Sequence, residues 1–588
     1  MIISEWVALY VLEVNCLTNS NLRTFDNFYS NLAQSAYRGR PNLFAYERLT
    51  KEEIKVLDSG KALEYDFSRD NKFYNDDKKE WEITTGGKNL PNGGKVYLQP
   101  DPGLHTVDEM LDLQVPNPNG GYHKETYTIN QYQKGLLTDE KAGFNAYYLT
   151  DTPTLGKDTK KTYMAIRGSD GMRLSTWNDW VDNDAQFAIN DSHIPQAKLA
   201  TKGLKEKIAE MSKKAPNAQM DLAAHSLGTM VSVQGIADLS NQELKKIGKV
   251  VLLDGPDTTK SLKKMGLSDE KIKLISDKVE YYVNPFDMVS MLNREHTITK
   301  LPGDGKEPLK KPVGKVNIIV PLYYTESFDA ESSHDFGVYQ PDGKGNFLTA
   351  SEDFHPELLR AGEKFARLIA SSLDAAKKLG IKGNVALNIF SSIVTGDISI
   401  RLPLGISVYE NFKKQYGEIV REARLESIKW DREAIPRYQE QLRSGNLTGE
   451  ERILIRARLL QTSSQLAIFE TEDKVENVKS YLSNAKEEIQ TILNNTNSEA
   501  IGLATYLTSS EVTALLSDFN ISRFWDEGIE GKTEKAAGAF LTQIEQLGTT
   551  LVRASGTFEV VDTQQAEDFN SLLADVKNKW RSKNVDAG

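Results

Sequence analysis

The chain has almost no cysteine and no long hydrophobic run. A single cysteine, Cys16, in 588 residues excludes an intramolecular disulfide framework and a cysteine-ligated zinc site. It leaves the redox compartment open. No stretch reaches the ~18 consecutive apolar residues that a bilayer-spanning helix needs. The nearest approach, 385–400, is interrupted by Asn388, Gly396 and Asp397. The first 21 residues are apolar but carry Glu5 and Glu13, and they lack a basic n-region and a small-residue cleavage site, so they do not read as a Sec signal. Excess positive charge is missing too. The formal net charge is -11, whereas a sequence-independent grip on nucleic acid needs clustered Lys and Arg.

Proline and histidine run out along the chain. All 7 histidines lie between His105 and His355, and only Pro403 and Pro436 of the 19 prolines follow residue 400. Before that point, strand-like runs at 161–168, 219–226, 248–255 and 278–285 alternate with helical patterns such as 197–214. That alternation implies an α/β domain with a mainly parallel sheet. After it, helices dominate. Val475, Val478, Leu482, Ala485, Ile489 and Ile492 form one apolar seam, and Val408, Phe412, Tyr416, Ile419 and Ala423 form another that Pro436 interrupts. Such seams suit an intramolecular bundle or a partner-binding surface equally. The expected organisation is an α/β domain over 1–382 and an elongated all-α domain over 383–588, joined near 382–404. The polar stretch 70–94 reads as a solvated excursion.

The chemistry gathers around Ser226. Residues 219–224 look like a strand and Thr229 onward like a helix, with Ala224, His225, Ser226, Leu227 and Gly228 between them. A strand-to-helix turn this tight strains the serine backbone, and small residues two before and two after it allow the approach. A helix N-cap serine is the plainer alternative. The following helix N-terminus would aim amide N–H groups at developing negative charge.

A serine nucleophile needs a histidine base oriented by a carboxylate. The strand-like run 279–283 ends before Asp287, the position expected of the acid; Asp254 and Asp257, after the strand-like run 250–253, are its rivals. His334 sits in a loop-like stretch after 316–320, where catalytic side chains are commonly delivered. His355, before Pro356, is the main competitor, and His296 lies too near Asp287 for an independent loop. His193 and His225 read as surface or elbow residues. For the oxyanion hole, Leu227 supplies one N–H, and the turn Arg167-Gly168-Ser169 places Ser169 as the second donor.

With these residues assembled, the region from about 22 to 375 resembles the fungal-type (class three) lipases and their bacterial relatives. Arg167-Gly168-Ser169 looks like that family's Arg-Gly-Thr oxyanion loop, with serine for threonine. Trp177-Asn178-Asp179-Trp180 resembles its Asp-Trp segment. Residues 224–228 resemble the lipase elbow with alanine for the first glycine. Val283, Asn284, Asp287, Val289 and Leu292 match its Val-Asn-x-x-Asp-x-Val-x-x-Leu motif, which decides for Asp287. No lid helix is recognisable, and Trp177 and Trp180 suit acyl contacts or packing against the sheet equally. The resemblance implies an α/β-hydrolase fold and a serine lipase or phospholipase A using Ser226, Asp287 and His334 without metal or organic cofactor.

A lipase followed by a helical tail further resembles the reverse-arranged LXG lipase toxins of Gram-positive type VII secretion. This implies lipid-ester or phospholipid substrates, transient membrane contact, small helical partner proteins on 383–588, an immunity protein, and export from the cytoplasm without a Sec signal. The alternative is a catalytically idle lipase fold whose tail docks partners.

Overall fold

Strands that run apolar on both sides must be covered on both faces, and the central strands of this chain do so. The computed structural model describes residues 24–75, 79–88, 90–116, 122–168, 194–294, 312–326, 333–342, 345–378, 403–445 and 447–555. Cys16, His193, His296, Ser169 and the segment Trp177 to Trp180 lie outside the described residues, as does nearly all of the expected join at 382–404.

The strands are β1 (Leu63–Asp66), β2 (Asn71–Asn75), β3 (Glu80–Thr84), β4 (Lys95–Leu98), β5 (His105–Pro116), β6 (Tyr122–Lys134), β7 (Thr138–Asp139), β8 (Phe144–Thr150), β9 (Lys161–Ile166), β10 (Gln219–His225), β11 (Ile247–Leu253), β12 (Val279–Val283) and β13 (Lys315–Ile318). One mixed sheet runs in the order β13-β12-β11-β10-β9-β8-β7-β6-β5, with β4 also paired to β8 and β1 to β4. The pairs from β9 to β13 are parallel, as the alternating pattern predicts, and β8 is antiparallel to β9. The polar stretch 70–94 contains a small antiparallel hairpin of its own, β2 against β3.

The helices of this part are α1 (Phe28–Ser35), α2 (Lys51–Asp58), α3 (Pro195–Lys214), α4 (Leu227–Ala237), α5 (Asn241–Leu244), α6 (Thr259–Lys264), α7 (Asp269–Ser276), α8 (Met288–Met291) and α9 (Pro356–Lys378). α1 packs on one face, where Phe28, Leu32, Ala33 and Ala36 share a core with Tyr163, Ala165, Ala223, Val251 and Leu253. α3 covers the other face: Lys207 Nζ lies 4.8 Å from the Tyr148 ring, and Thr162 donates to Met211 Sδ on α3. Burying such a set removes each large side chain from water, worth roughly 1.5–3 kcal/mol apiece.

The remaining helices are α10 (Pro403–Arg443), α11 (Gly449–Leu503), α12 (Ser509–Leu515), α13 (Ile521–Phe524) and α14 (Glu527–Ser555). The chain separates into two compact units, Met1–Ser427 and Ile428–Gly588. The reason lies in the first apolar seam. Phe412 and Tyr416 of α10 pack on Phe365 of α9, with ring centroids 6.0 and 5.0 Å apart, and Lys364 and Arg360 pair with Glu422 and Glu426. The seam takes in buried Val420 beside half-buried Ile419. α10 also runs on through Pro436, where one missing N–H costs a helical bond without ending the helix.

In the second unit α11 and α14 pack antiparallel: Gly548 lies against Ile468, while Lys486 pairs with Glu530. Val475, Val478, Leu482, Ala485 and Ile489 face this contact at least partly, but the seam closes on buried Leu493 and leaves Ile492 exposed. Among the described residues no helix is long and apolar enough to cross a membrane.

Candidate active site

Ser226 occupies the junction between β10 and α4 in a backbone conformation that few non-glycine residues adopt, φ 57° and ψ -134°. It stands at the N-cap position, yet its side chain makes no capping hydrogen bond, so the hydroxyl is not spent on closing the helix as an ordinary N-cap serine would be. Two close approaches hold the turn. A Cβ at Gly228 would stand 2.5 Å from the Ile166 carbonyl oxygen, and one at Gly168 would stand 2.7 Å from that of His225 and 3.0 Å from the Ser226 Cβ. Only glycine fits either place. The Leu227 amide, first in α4, has no acceptor within the helix.

Asp287 leaves β12 and caps α8. Its Oδ1 accepts from the Val289 N–H at 3.1 Å and its Oδ2 from the Ser290 N–H at 2.8 Å. The same Oδ2 lies 2.9 Å from His334 Nδ1. The structure thus brings together two of the residues singled out in the sequence, Asp287 and His334. The other ring nitrogen, His334 Nε2, is buried with no hydrogen bond among the described residues. Burial by itself would lower the basicity of His334. The charge and hydrogen bond of Asp287, then the charges of Asp254 and Asp335, outweigh it and push the imidazole up to about 9.

The base segment is pinned from both sides. His225 Nε2 lies 2.9 Å from the His334 carbonyl oxygen, and Asn284 Nδ2 donates to the Ser333 carbonyl at 2.7 Å. The His225 ring is 4.7 Å from that of His334 and stacks on Phe336 at 4.4 Å. Tyr37 completes the support: its hydroxyl is 3.0 Å from His225 Nδ1 and accepts from the Gly168 N–H at 3.0 Å. Burial, then His334, hold His225 well below the usual imidazole range, so it is a neutral strut. Of the two readings, surface or elbow, His225 takes the elbow one and is buried; neither it nor Tyr37 was identifiable as a support from local sequence, because 188 residues separate them.

The rivals are engaged differently. His355 is buried and its Nδ1 bonds Glu357 at 2.7 Å, while Ser427 of α10 donates to the same carboxylate at 2.6 Å. That network ties α10 to α9. Asp257 accepts from the Thr259 N–H. Asp254, by contrast, lies at the site, its Oδ2 4.0 Å from His225 Nε2. His225, Asp254 and His334 bring potential ligand atoms within 4.8 Å of one another, but both nitrogens of His225 and Nδ1 of His334 are already hydrogen-bonded. The grouping falls short of the three or four free protein donors of a zinc site.

The arrangement holds a strained serine at a helix N-terminus and a buried histidine hydrogen-bonded to a carboxylate; among the described residues no hydrogen bond joins Ser226 to His334 Nε2. No known family model matches the chain, and no curated protein or solved structure matches it either.

Proposed function

We propose that the first unit is an α/β hydrolase acting as a serine lipase or phospholipase A. The observation that carries this reading is the strained, uncapped Ser226 on its strand-to-helix turn, in a unit where His334 is bonded to Asp287 and keeps Nε2 for a further proton. In the proposed reaction Ser226 Oγ attacks the ester carbonyl carbon while its proton passes to His334 Nε2. The carbonyl oxygen becomes an oxyanion that accepts from the Leu227 N–H and, by the sequence resemblance, from Ser169. Collapse expels the alcohol, which takes the proton from His334, and water repeats the sequence on the acyl-enzyme. The choice of lipid esters rests on the resemblance to class three lipases. A fluorophosphonate probe is expected to modify the protein stoichiometrically at Ser226, with fatty acid released from phospholipid vesicles. Folded protein that takes up no probe would favour the idle-scaffold alternative.

The likeness to LXG toxins extends the proposal to type VII export and to small helical partners on the second unit. Its support is a set of apolar side chains left in water, among them Leu503, Tyr506, Leu515 and Ile529 at 83%, 98%, 73% and 62% exposure; side chains of this kind mark interaction surfaces when they cluster. Co-expression of the full chain with small helical proteins encoded beside it is expected to yield a copurifying complex, lost when Leu503, Tyr506 and Leu515 are changed to serine. A monodisperse chain that retains no partner would reject docking.

A further inference from the structure

Two buried carboxylates, not one, attend the proposed base. Asp254 follows β11 at φ 47° and is fully buried. Its Oδ1 accepts from the Asn284 N–H at 2.9 Å and from the Ser290 hydroxyl at 2.8 Å. Ser290 is thus shared: its amide bonds Asp287 and its hydroxyl bonds Asp254. Asn284 is shared as well, bonding Asp254 through its amide N–H and the Ser333 carbonyl through its side chain. Arg294 fastens the same corner, with Nε donating to the Ser290 carbonyl at 2.6 Å and a terminal nitrogen to the Gly255 carbonyl at 2.8 Å.

The geometry points to Asp254 as a second acid of the site, a positioning residue that fixes the Asp287 segment through Ser290 and shares with Asp287 the positive charge His334 carries after taking a proton. This inference rests on the proposed hydrolase reading. A lone structural carboxylate would satisfy its oxygens with donors and stay clear of the site. Among the described residues Asp254 Oδ2 accepts no hydrogen bond of normal geometry; it has the Tyr339 side chain as a neighbour and lies 4.0 Å from His225 Nε2, whose ring is tilted against that of His334. In the acylation step the Ser226 O–H bond breaks, the Nε2–H bond of His334 forms, and the resulting imidazolium has two buried carboxylates, Asp287 and Asp254, close by. Burial, then the neighbouring Asp287, raise the Asp254 carboxyl above the usual carboxylate range, while His334 and the two donors oppose this. The titrations of Asp254 and His334 are therefore linked.

The charged and titratable groups facing this pair are Asp287 and Arg294 from the acid segment, His225 from the elbow, and Asp335 and Tyr339 from the base segment, with Arg40 paired to Asp335. Asp257 acts on Arg294. Each carboxylate near His334 favours its protonated form, so neutralising one lowers the pH at which the base becomes free.

The test is Asp254→Asn in the full chain. Its amide oxygen still accepts from Asn284 and Ser290, its NH₂ takes the place of an oxygen that accepts no hydrogen bond of normal geometry among the described residues, and asparagine suits a positive φ. Two readings are taken: the pH profile of kcat/KM on a soluble ester, and the NMR titration of the His334 ring in a Ser226→Ala background, which needs no turnover. The expected result is a downward shift of both the acidic limb and the ring titration by roughly one to two pH units. Ser290→Ala, which withdraws one donor from the Asp254 carboxylate, moves the ring titration the same way by less. An unchanged ring titration in both variants overturns the inference, even if activity falls. Wild-type protein that neither takes up fluorophosphonate nor hydrolyses ester rejects the hydrolase reading instead, and the ring titration then still decides whether Asp254 acts on His334.

Discussion

Replacing Ser226 with alanine is expected to lower ester hydrolysis by about 10⁴- to 10⁶-fold and to abolish fluorophosphonate labelling, while the melting temperature changes little. The loss is large because the hydroxyl is the atom that would bond the acyl group; once it is gone, the oxyanion donors and substrate binding supply only residual acceleration. The stability half of the expectation follows from the geometry. The Ser226 side chain forms no cap bond, and alanine inherits the same strained backbone, so the substitution stays within ~0.5 kcal/mol of wild type. Initial rates on phospholipid vesicles and a thermal melt check both halves. Hydrolysis at the wild-type rate would end the nucleophile assignment.

Asp287→Asn is expected to reduce kcat by about 10⁴-fold and to destabilise the fold as well. The catalytic part comes from the tautomer: in neutral His334 the carboxylate favours the proton on Nδ1, which lies 2.9 Å from Asp287 Oδ2, and so leaves Nε2 to accept, whereas an amide NH₂ at that position favours the reverse. The structural part comes from the cap. Both carboxylate oxygens accept a backbone N–H of α8, and an amide can supply only one acceptor oxygen. A buried donor facing another donor costs about 1–3 kcal/mol. Kinetics at saturating ester and urea unfolding separate the two effects. A variant that is destabilised but retains wild-type kcat would reduce Asp287 to a helix cap.

Much of this site could be read along the chain. The elbow was legible because its requirements are local: a strand, a small residue, the serine, a glycine and a helix all fall within some twenty positions, and the close approach of Gly228 to Ile166 is the contact that the spacing implies. Asp287 was legible for a related reason, since a carboxylate at the exit of a strand and the start of a short helix caps that helix whatever else it does. Choosing it over Asp254 needed the resemblance to a lipase motif, because both residues leave parallel strands in the same direction. His334 is favoured over His355 in the sequence only by its loop-like setting. They differ in the partners that folding brings, Asp287 for one and Glu357 with Ser427 for the other.

The helical region shows the same division. Amphipathic spacing identified the helices but misplaced one seam position by a single residue, Leu493 for Ile492, and missed Val420 beside half-buried Ile419. At 3.6 residues per turn adjacent positions on a broad stripe compete for the contact, and the packing partner settles which is covered. Likewise the composition changes near residue 400, whereas the first unit extends to Ser427 because Phe412 and Tyr416 find Phe365.

For Ser226, then, the sequence alone determined an α/β setting, the turn and the order of a proposed nucleophile, acid and base, all properties of short-range stereochemistry and strand direction. Only the tertiary structure decided that the serine hydroxyl is free of the helix cap, that Tyr37 and His225 brace the base segment, and that Asp254 stands beside Asp287. Those outcomes depend on the parallel register of β10, β11 and β12, which brings the ends of three distant segments together in a pocket where water no longer screens their charges.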